Sequence, residues 1–293
     1  MSDPVPENWG ALDLRRLGRL MTALEERSPD GLKAAAALQA QTWPGITIGI
    51  TGPPGAGKST LISALVRELR RRRERVGIVA VDPSSARTGG AFLGDRVRMM
   101  EHAIDSDVVI RSIASRGHVG GSAPVVADLA RLLRAAGFAW VLIETVGAGQ
   151  VEIDIARQGD VTVLVQAPGQ GDEIQALKKG ILELADLVVV NKSDLAGAVE
   201  LQGQLATWAV ASENVLLTCA ESGEGVDALV DAIGRIQRMR PVVARDQRRD
   251  EVRALALTML TKKIDVRLEN FDCAGGSTWE AAERLVASLR QQL

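Results

Sequence analysis

The chain has 293 residues, 46% hydrophobic and 25% charged, and its 35 basic against 37 acidic side chains leave a formal net charge of -2. These values suit a globular protein with a buried core and exclude a disordered chain, and the charge balance removes any global pull toward nucleic acid or a membrane surface. Cys219 and Cys273 stand far apart with no C-x-x-C, which offers neither a disulfide framework nor a thiolate metal site and suits a reducing, cytoplasmic setting.

The opening residues "MSDPVPENWGALDLRRL" lack the charged start and apolar core of a secretory signal, and no stretch approaches a membrane span, so a soluble protein is expected. Between residues 11 and 40, Leu14, Leu17, Leu20, Met21 and Leu24 recur at helical spacing, "RSPDG" interrupts them and "LKAAAALQA" resumes, which predicts a helical extension over 1–43. From "ITIGITG" onward the pattern turns to short β-branched runs: "ITIGI", "RVGIVAV", "DVVIRSI", "AWVLIE", "DVTVLVQ", "LVVVNK" and "VLLTCA". Apolar on both faces and separated by helical segments, they predict an α/β core over 44–238 with a mostly parallel central sheet flanked by helices.

The basic run "RELRRRRERV", residues 67–76, falls where the first core helix should end. It reads as a solvated helix terminus favoured by the helix dipole; a nucleic-acid surface would need aromatic residues or further basic strands beside it. Beyond "RMRPVVARDQRRD", helical periodicity returns in "EVRALALTMLTKKIDVRL", and "GGSTWEAAERLVASL" supplies a Ser/Thr cap signal ahead of a last helix. A C-terminal helical appendage over 239–293 is expected.

Within the core, "GITGPPGAGKST", residues 49–60, contains G-x-x-x-x-G-K-[ST] between an apolar strand and the helical "LISALVREL". Gly52, Pro54, Gly55, Ala56, Gly57, Lys58, Ser59 and Thr60 are therefore expected to cradle phosphate. Glycines let backbone N–H groups turn inward, the helix start adds its dipole, Lys58 reaches the β and γ phosphates, and the Ser59 hydroxyl binds magnesium. "NKSD", Asn191 to Asp194, ends the run "LVVV". The Asp194 carboxylate can accept from the ring N–H and exocyclic amine of guanine, a donor pair that adenine lacks; Lys192 can lay its stem over the base, and Asn191 can tie this loop to the phosphate loop. "TCAESGEG", residues 218–225, adds Cys219 and Ala220 at the base, with the Ala220 N–H near guanine O6. GTP and GDP are the expected ligands, with Mg2+.

Two further segments offer carboxylates to the metal. "VAVDPSSARTGGAFLGDRVRM" supplies Asp82 at a strand end and Asp95 in a glycine-containing loop, either of which could instead be a turn former. "LIETVGAGQVE" places Glu144 at a strand end and Gly147 three residues later, where many GTPases carry aspartate in D-x-x-G. The longer glutamate could contact the magnesium shell or position the attacking water, or it could be a surface carboxylate. His102 and His118 have no neighbours that suggest a metal site.

Taken together, "GITGPPGAGKSTLI", "VDPSSARTGGAFLGDRVRM", "RGHVGG", "ETVGAGQ", "APGQGDEIQALKKGILELAD" and "NKSD" resemble the MeaB/ArgK family, GTPases associated with methylmalonyl-CoA mutase and related acyl-CoA mutases. The resemblance spans residues 11 to about 240 and implies a P-loop NTPase fold. It implies a homodimeric G protein that binds an adenosylcobalamin-dependent acyl-CoA mutase, gates cofactor loading and protects or reactivates that enzyme, hydrolysing GTP slowly alone and faster with the mutase. It assigns Lys58, Ser59, Asp82, Asp95 and Glu144 to the phosphate and magnesium group, and "GQGDEIQALKKG", residues 169–180, to a switch loop facing the mutase. Read from residue types alone, Gln170 to Glu173 form a polar loop and Lys178 and Lys179 a solvated helix start.

Cys219 stands where the family more often has serine, a difference that matters little if only the backbone meets the base. Ala86 and Arg87 replace the usual proline and its neighbour, and the C-terminal portion is short for the family, which bears on dimer geometry. No D-x-H-x-x-G stretch occurs, so cobalamin would belong to the mutase; Arg87, Arg96, Arg98 and Arg116 are candidate catalytic arginines. Two other functions share the phosphate loop: nickel insertion, which usually calls for a His-rich tract, and a protein kinase linked to amino-acid transport, which the guanine signature disfavours.

Overall fold

The apolar runs become the strands β1 (Ile46–Thr51), β2 (Val76–Asp82), β3 (Val108–Ala114), β4 (Trp140–Thr145), β5 (Val161–Gln166), β6 (Leu187–Asn191) and β7 (Val215–Thr218). They form one seven-stranded sheet in the order β3-β2-β4-β1-β5-β6-β7, with every neighbouring pair parallel. The computed structural model describes residues 5–82, 105–114, 123–145, 158–169, 185–207, 212–239 and 278–290, with Ala156, Leu182 and scattered positions from 256 to 271.

Because the strands alternate their side chains, each face of the sheet needs its own cover. On one face Ile46, Ile48 and Ile50 of β1 pack with Leu61, Leu65 and Leu69 of α3 (Lys58–Arg71) and Leu229 and Ile233 of α6 (Val226–Met239). The opposite face is divided. Over β2 and β4, Val79, Val81, Val141 and Ile143 meet α4 (Ala123–Ala135), together with Leu17, Leu20 and Leu24 of α1 (Leu14–Glu25) and Leu38 of α2 (Pro29–Gln39). Over β5 and β6, Leu164, Val188 and Val190 are covered by Leu201 and Leu205 of α5 (Ala198–Ala206). Each fully buried aliphatic side chain contributes about 1.5–3 kcal/mol, so these three clusters supply the main driving force for the architecture.

The N-terminal break is shorter than the sequence pattern suggests. Proline is well suited to the first helical position, and the Ser28 hydroxyl accepts from the Gly31 N–H at 3.2 Å, so α2 starts at Pro29 and only Glu26–Ser28 lie between the helices. The pair is anchored on α4 by Asp128, 1% exposed, whose carboxylate accepts from Arg27 Nη1 at 3.1 Å, Gln39 Nε2 at 2.9 Å and Arg131 Nη1 at 3.2 Å. A buried carboxylate is tolerable only with such a full set of donors.

The basic run is an ion-paired helix end. Arg70 donates to Asp105 at 2.7 Å and Asp107 at 2.8 Å, while Arg71 and Arg72 both close back on Glu68, at 2.8 and 2.6 Å. Hydrogen bonding from Arg71, with a further contribution from Arg72, holds the Glu68 carboxyl down at about 2, and burial opposes the shift. A last helix, α7 (Thr278–Arg290), follows the "GGST" signal. No helix among the described residues is long and apolar enough to cross a membrane.

Candidate functional site

All the strands point the same way, so the loops that leave β1, β6 and β7 gather at one edge of the sheet. The turn after β1 is built for close approach. At Gly52 a methyl group would lie 2.1 Å from the Val165 carbonyl oxygen of β5, and at Gly57 it would lie 2.4 Å from Asn191 Nδ2. Gly57 is also left-handed, φ 88, and starts α3 without a side-chain cap. The N-terminus of that helix faces the phosphate turn, and the helix dipole favours an anion there.

Lys58 is 7% exposed and curls into the loop that precedes it, with Nζ donating to Gly52 O at 2.7 Å and Pro53 O at 2.9 Å. Pro54 and Gly55 form the exposed crown of the turn, Ala56 is buried beneath it, and Thr60 is half-buried in the first turn of α3. Ser59 Oγ donates to Glu144 Oε1 at 2.5 Å, although the two residues are 85 positions apart. Glu144 is 2% exposed near the end of β4 and shares the α3 face with Leu142, so it is a buried carboxylate and not a surface one. A hydroxyl and a carboxylate oxygen brought together in this way suit a hard cation such as magnesium, which prefers oxygen ligands. Asp82 closes β2 at the same edge. Asp95, Gly147, residues 170–180 and the candidate arginines Arg87, Arg96, Arg98 and Arg116 lie outside the described residues, as do His102 and His118.

Asn191 joins the two halves of the site. It is 1% exposed, and its Nδ2 donates to Ala56 O at 3.0 Å and Gly57 O at 3.5 Å, while its Oδ1 accepts from Thr218 Oγ1 at 3.2 Å and Ala220 N at 3.1 Å. The Ala220 N–H that sequence reasoning assigns to guanine O6 therefore already has an acceptor, which a base oxygen would have to share or displace. Lys192 adopts φ 60, and its Cε lies 3.8 Å from where a Gly57 methyl would be, so its stem runs beside the phosphate turn. Asp194 is exposed, and its Oδ1 accepts from the Cys219 thiol at 3.3 Å.

Two participants were not singled out by sequence reasoning. Thr218, fully buried, orients Asn191, and Arg67 on α3 donates to Ala220 O at 3.4 Å. Thr218 sits at the head of "TCAESGEG" and could have been noticed as the polar end of an apolar strand; nothing local marks Arg67 within its basic run.

A family model described as methylmalonyl Co-A mutase-associated GTPase MeaB matches residues 17–270. The chain belongs to the MeaB family. A putative GTPase of Pyrococcus horikoshii is 36% identical over 280 residues, covering 89% of this chain and 87% of its own. Among solved structures, a LAO/AO transport system kinase superposes with a TM-score of 0.64 at 25% identity, covering 94% of this chain and 93% of that one. The hydrogenase maturation factor HypB of Archaeoglobus fulgidus, at 19% identity and a TM-score of 0.50 over 76% of this chain, shares the fold alone. This MeaB-family chain is accordingly a GTPase with a P-loop fold, as its phosphate turn and base-side loops imply.

Proposed function

We propose that the chain is a guanine-nucleotide switch serving an adenosylcobalamin-dependent acyl-CoA mutase, gating cofactor loading and protecting or reactivating that enzyme. The observation that carries the nucleotide half of this reading is the Asn191 bridge, which hydrogen-bonds the phosphate turn at Ala56 and the base loop at Ala220. A side chain used in this way gives one ligand simultaneous reach to both loops. The mutase half is supported by the description of the matching family.

In this reading Lys58 exchanges its loop carbonyls for the β and γ phosphates, and Asp194 and Lys192 hold guanine. Ser59, Asp82, Asp95 and Glu144 would hold magnesium, which when bound would supply positive charge to offset the charge that develops on the phosphates. Glu144, hydrogen-bonded to Ser59, would orient groups around that metal. Gly147 belongs to the same nucleotide-sensing segment. The protein acts as a cytoplasmic homodimer, with residues 239–293 contributing to the interface; in α7 Trp279 is 74% exposed and Val286 48%, apolar surface that a second copy would cover. Nickel delivery would need a ligand set that two histidines and two separated cysteines do not suggest, and a kinase reading leaves the guanine contacts unexplained.

The test is GTP turnover by the purified protein, alone and with each adenosylcobalamin-dependent acyl-CoA mutase of its source organism, with ATP as control. Stimulation by one mutase is expected. Slow turnover that no mutase changes would overturn the client, and ATP turnover equal to GTP would overturn the base assignment.

A further inference from the structure

Cys219 stands at the end of β7, 8% exposed, and its backbone is held on both sides. Its N–H donates to Glu224 O at 3.0 Å, and its carbonyl accepts from Gly223 N at 2.8 Å. The direction of its side chain is therefore set by a closed turn. From that position the thiol donates to Asp194 Oδ1 at 3.3 Å.

Asp194 is differently situated. It is exposed and lies inside a turn closed by Leu195 N donating to Lys192 O at 3.0 Å, which fixes its backbone but not its carboxylate, and the last torsion of an aspartate is broad and roughly two-fold. The plane of its carboxylate would be loosely defined without a side-chain partner, and among the described residues Cys219 supplies one. Reading guanine demands that plane. The ring N–H and the exocyclic amine lie side by side in the base, so both carboxylate oxygens must lie in the base plane to accept them. A carboxylate has about four lone-pair directions, so one thiol bond leaves capacity for both base contacts.

We infer that Cys219 is a positioning residue for nucleotide specificity: its thiol holds the Asp194 carboxylate in the orientation that selects guanine. The inference rests on the base-site reading proposed above. It reverses the expectation that a cysteine at this position matters only through its backbone, because its sulfur contacts the specificity carboxylate.

The experiment measures GDP and IDP affinity by titration for the full chain and for Cys219→Ala, Cys219→Ser and Asp194→Asn. Freeing one side chain that must be ordered again on binding predicts GDP affinity about threefold to tenfold weaker in Cys219→Ala. IDP lacks the exocyclic amine and should lose less, so selectivity for GDP over IDP falls, and Cys219→Ser, which keeps a donor, should restore it. Equal loss for both nucleotides, or unchanged selectivity in Cys219→Ala, would overturn the inference. If Asp194→Asn itself keeps full guanine preference, the base-site reading fails and the inference with it. If Asp194→Asn loses that preference while Cys219→Ala keeps it, the thiol alone is misassigned.

Discussion

Lys58 shows how one residue can be both buried and poised. An ammonium 7% exposed would be costly without partners, and the Gly52 and Pro53 carbonyls meet that need. Neutral carbonyls are weaker partners for a cation than phosphate oxygens are, so a triphosphate can displace them with a net gain. Lys58→Ala is expected to lose about 100-fold in GTP affinity, in line with the ~3 kcal/mol upper end for a hydrogen bond to a charged group. Affinity by titration is the measurement, and a variant that binds GTP as the parent does would remove Lys58 from the phosphate site. At the same scale, Asn191 is legible in "NKSD" as a loop tie, but not its use of both amide ends. Its acceptors and donors come from segments 27 to 135 residues away.

At the scale of elements, α3 does two jobs. Its start faces the phosphate turn, and its end carries the arginines that close on Glu68, Asp105 and Asp107. Glu68 titrates at about 2 in the folded chain against 4.5 ordinarily, with Arg71 as the leading cause. A carboxyl depressed by folding contributes stability that is complete above 4.5 and is lost as pH falls toward 2. Acid unfolding of the parent should therefore steepen across that window, and Glu68→Gln should show a shallower dependence there. Parallel slopes for the two proteins in denaturant titrations at stepped pH would show that the ion pairs do not affect stability. The strands themselves were readable because a strand buried on both faces is apolar throughout, as "LVVV" and "ITIGI" are. The helix break is narrower than "RSPDG" suggests, because proline and glycine, which often interrupt helices, here open α2 at Pro29 and lie inside it at Gly31.

For the whole molecule, the proposed nucleotide site is an edge of the sheet to which the turn after β1 and the ends of β4, β6 and β7 contribute. A nucleotide that bridges these elements should stabilise the fold as a unit. GDP at one hundred times its dissociation constant is expected to raise unfolding free energy by about 2.7 kcal/mol, measured by denaturant unfolding with and without ligand. ADP at the same concentration should leave the midpoint unmoved, and an equal effect of the two would contradict guanine selection.

By itself the amino-acid sequence determined the α/β class, the seven strand segments and the phosphate turn, because each depends on local composition and on residues a few positions apart. Only the tertiary structure decided that β1 lies between β4 and β5, that Ser59 meets Glu144, that Asp128 gathers Arg27 and Gln39, and that the Cys219 thiol reaches Asp194. Those pairings join residues from 25 (Asp194 to Cys219) to 113 (Ile48 to Val161) positions apart, and they follow from how the covered faces of the sheet pack, which no local pattern encodes.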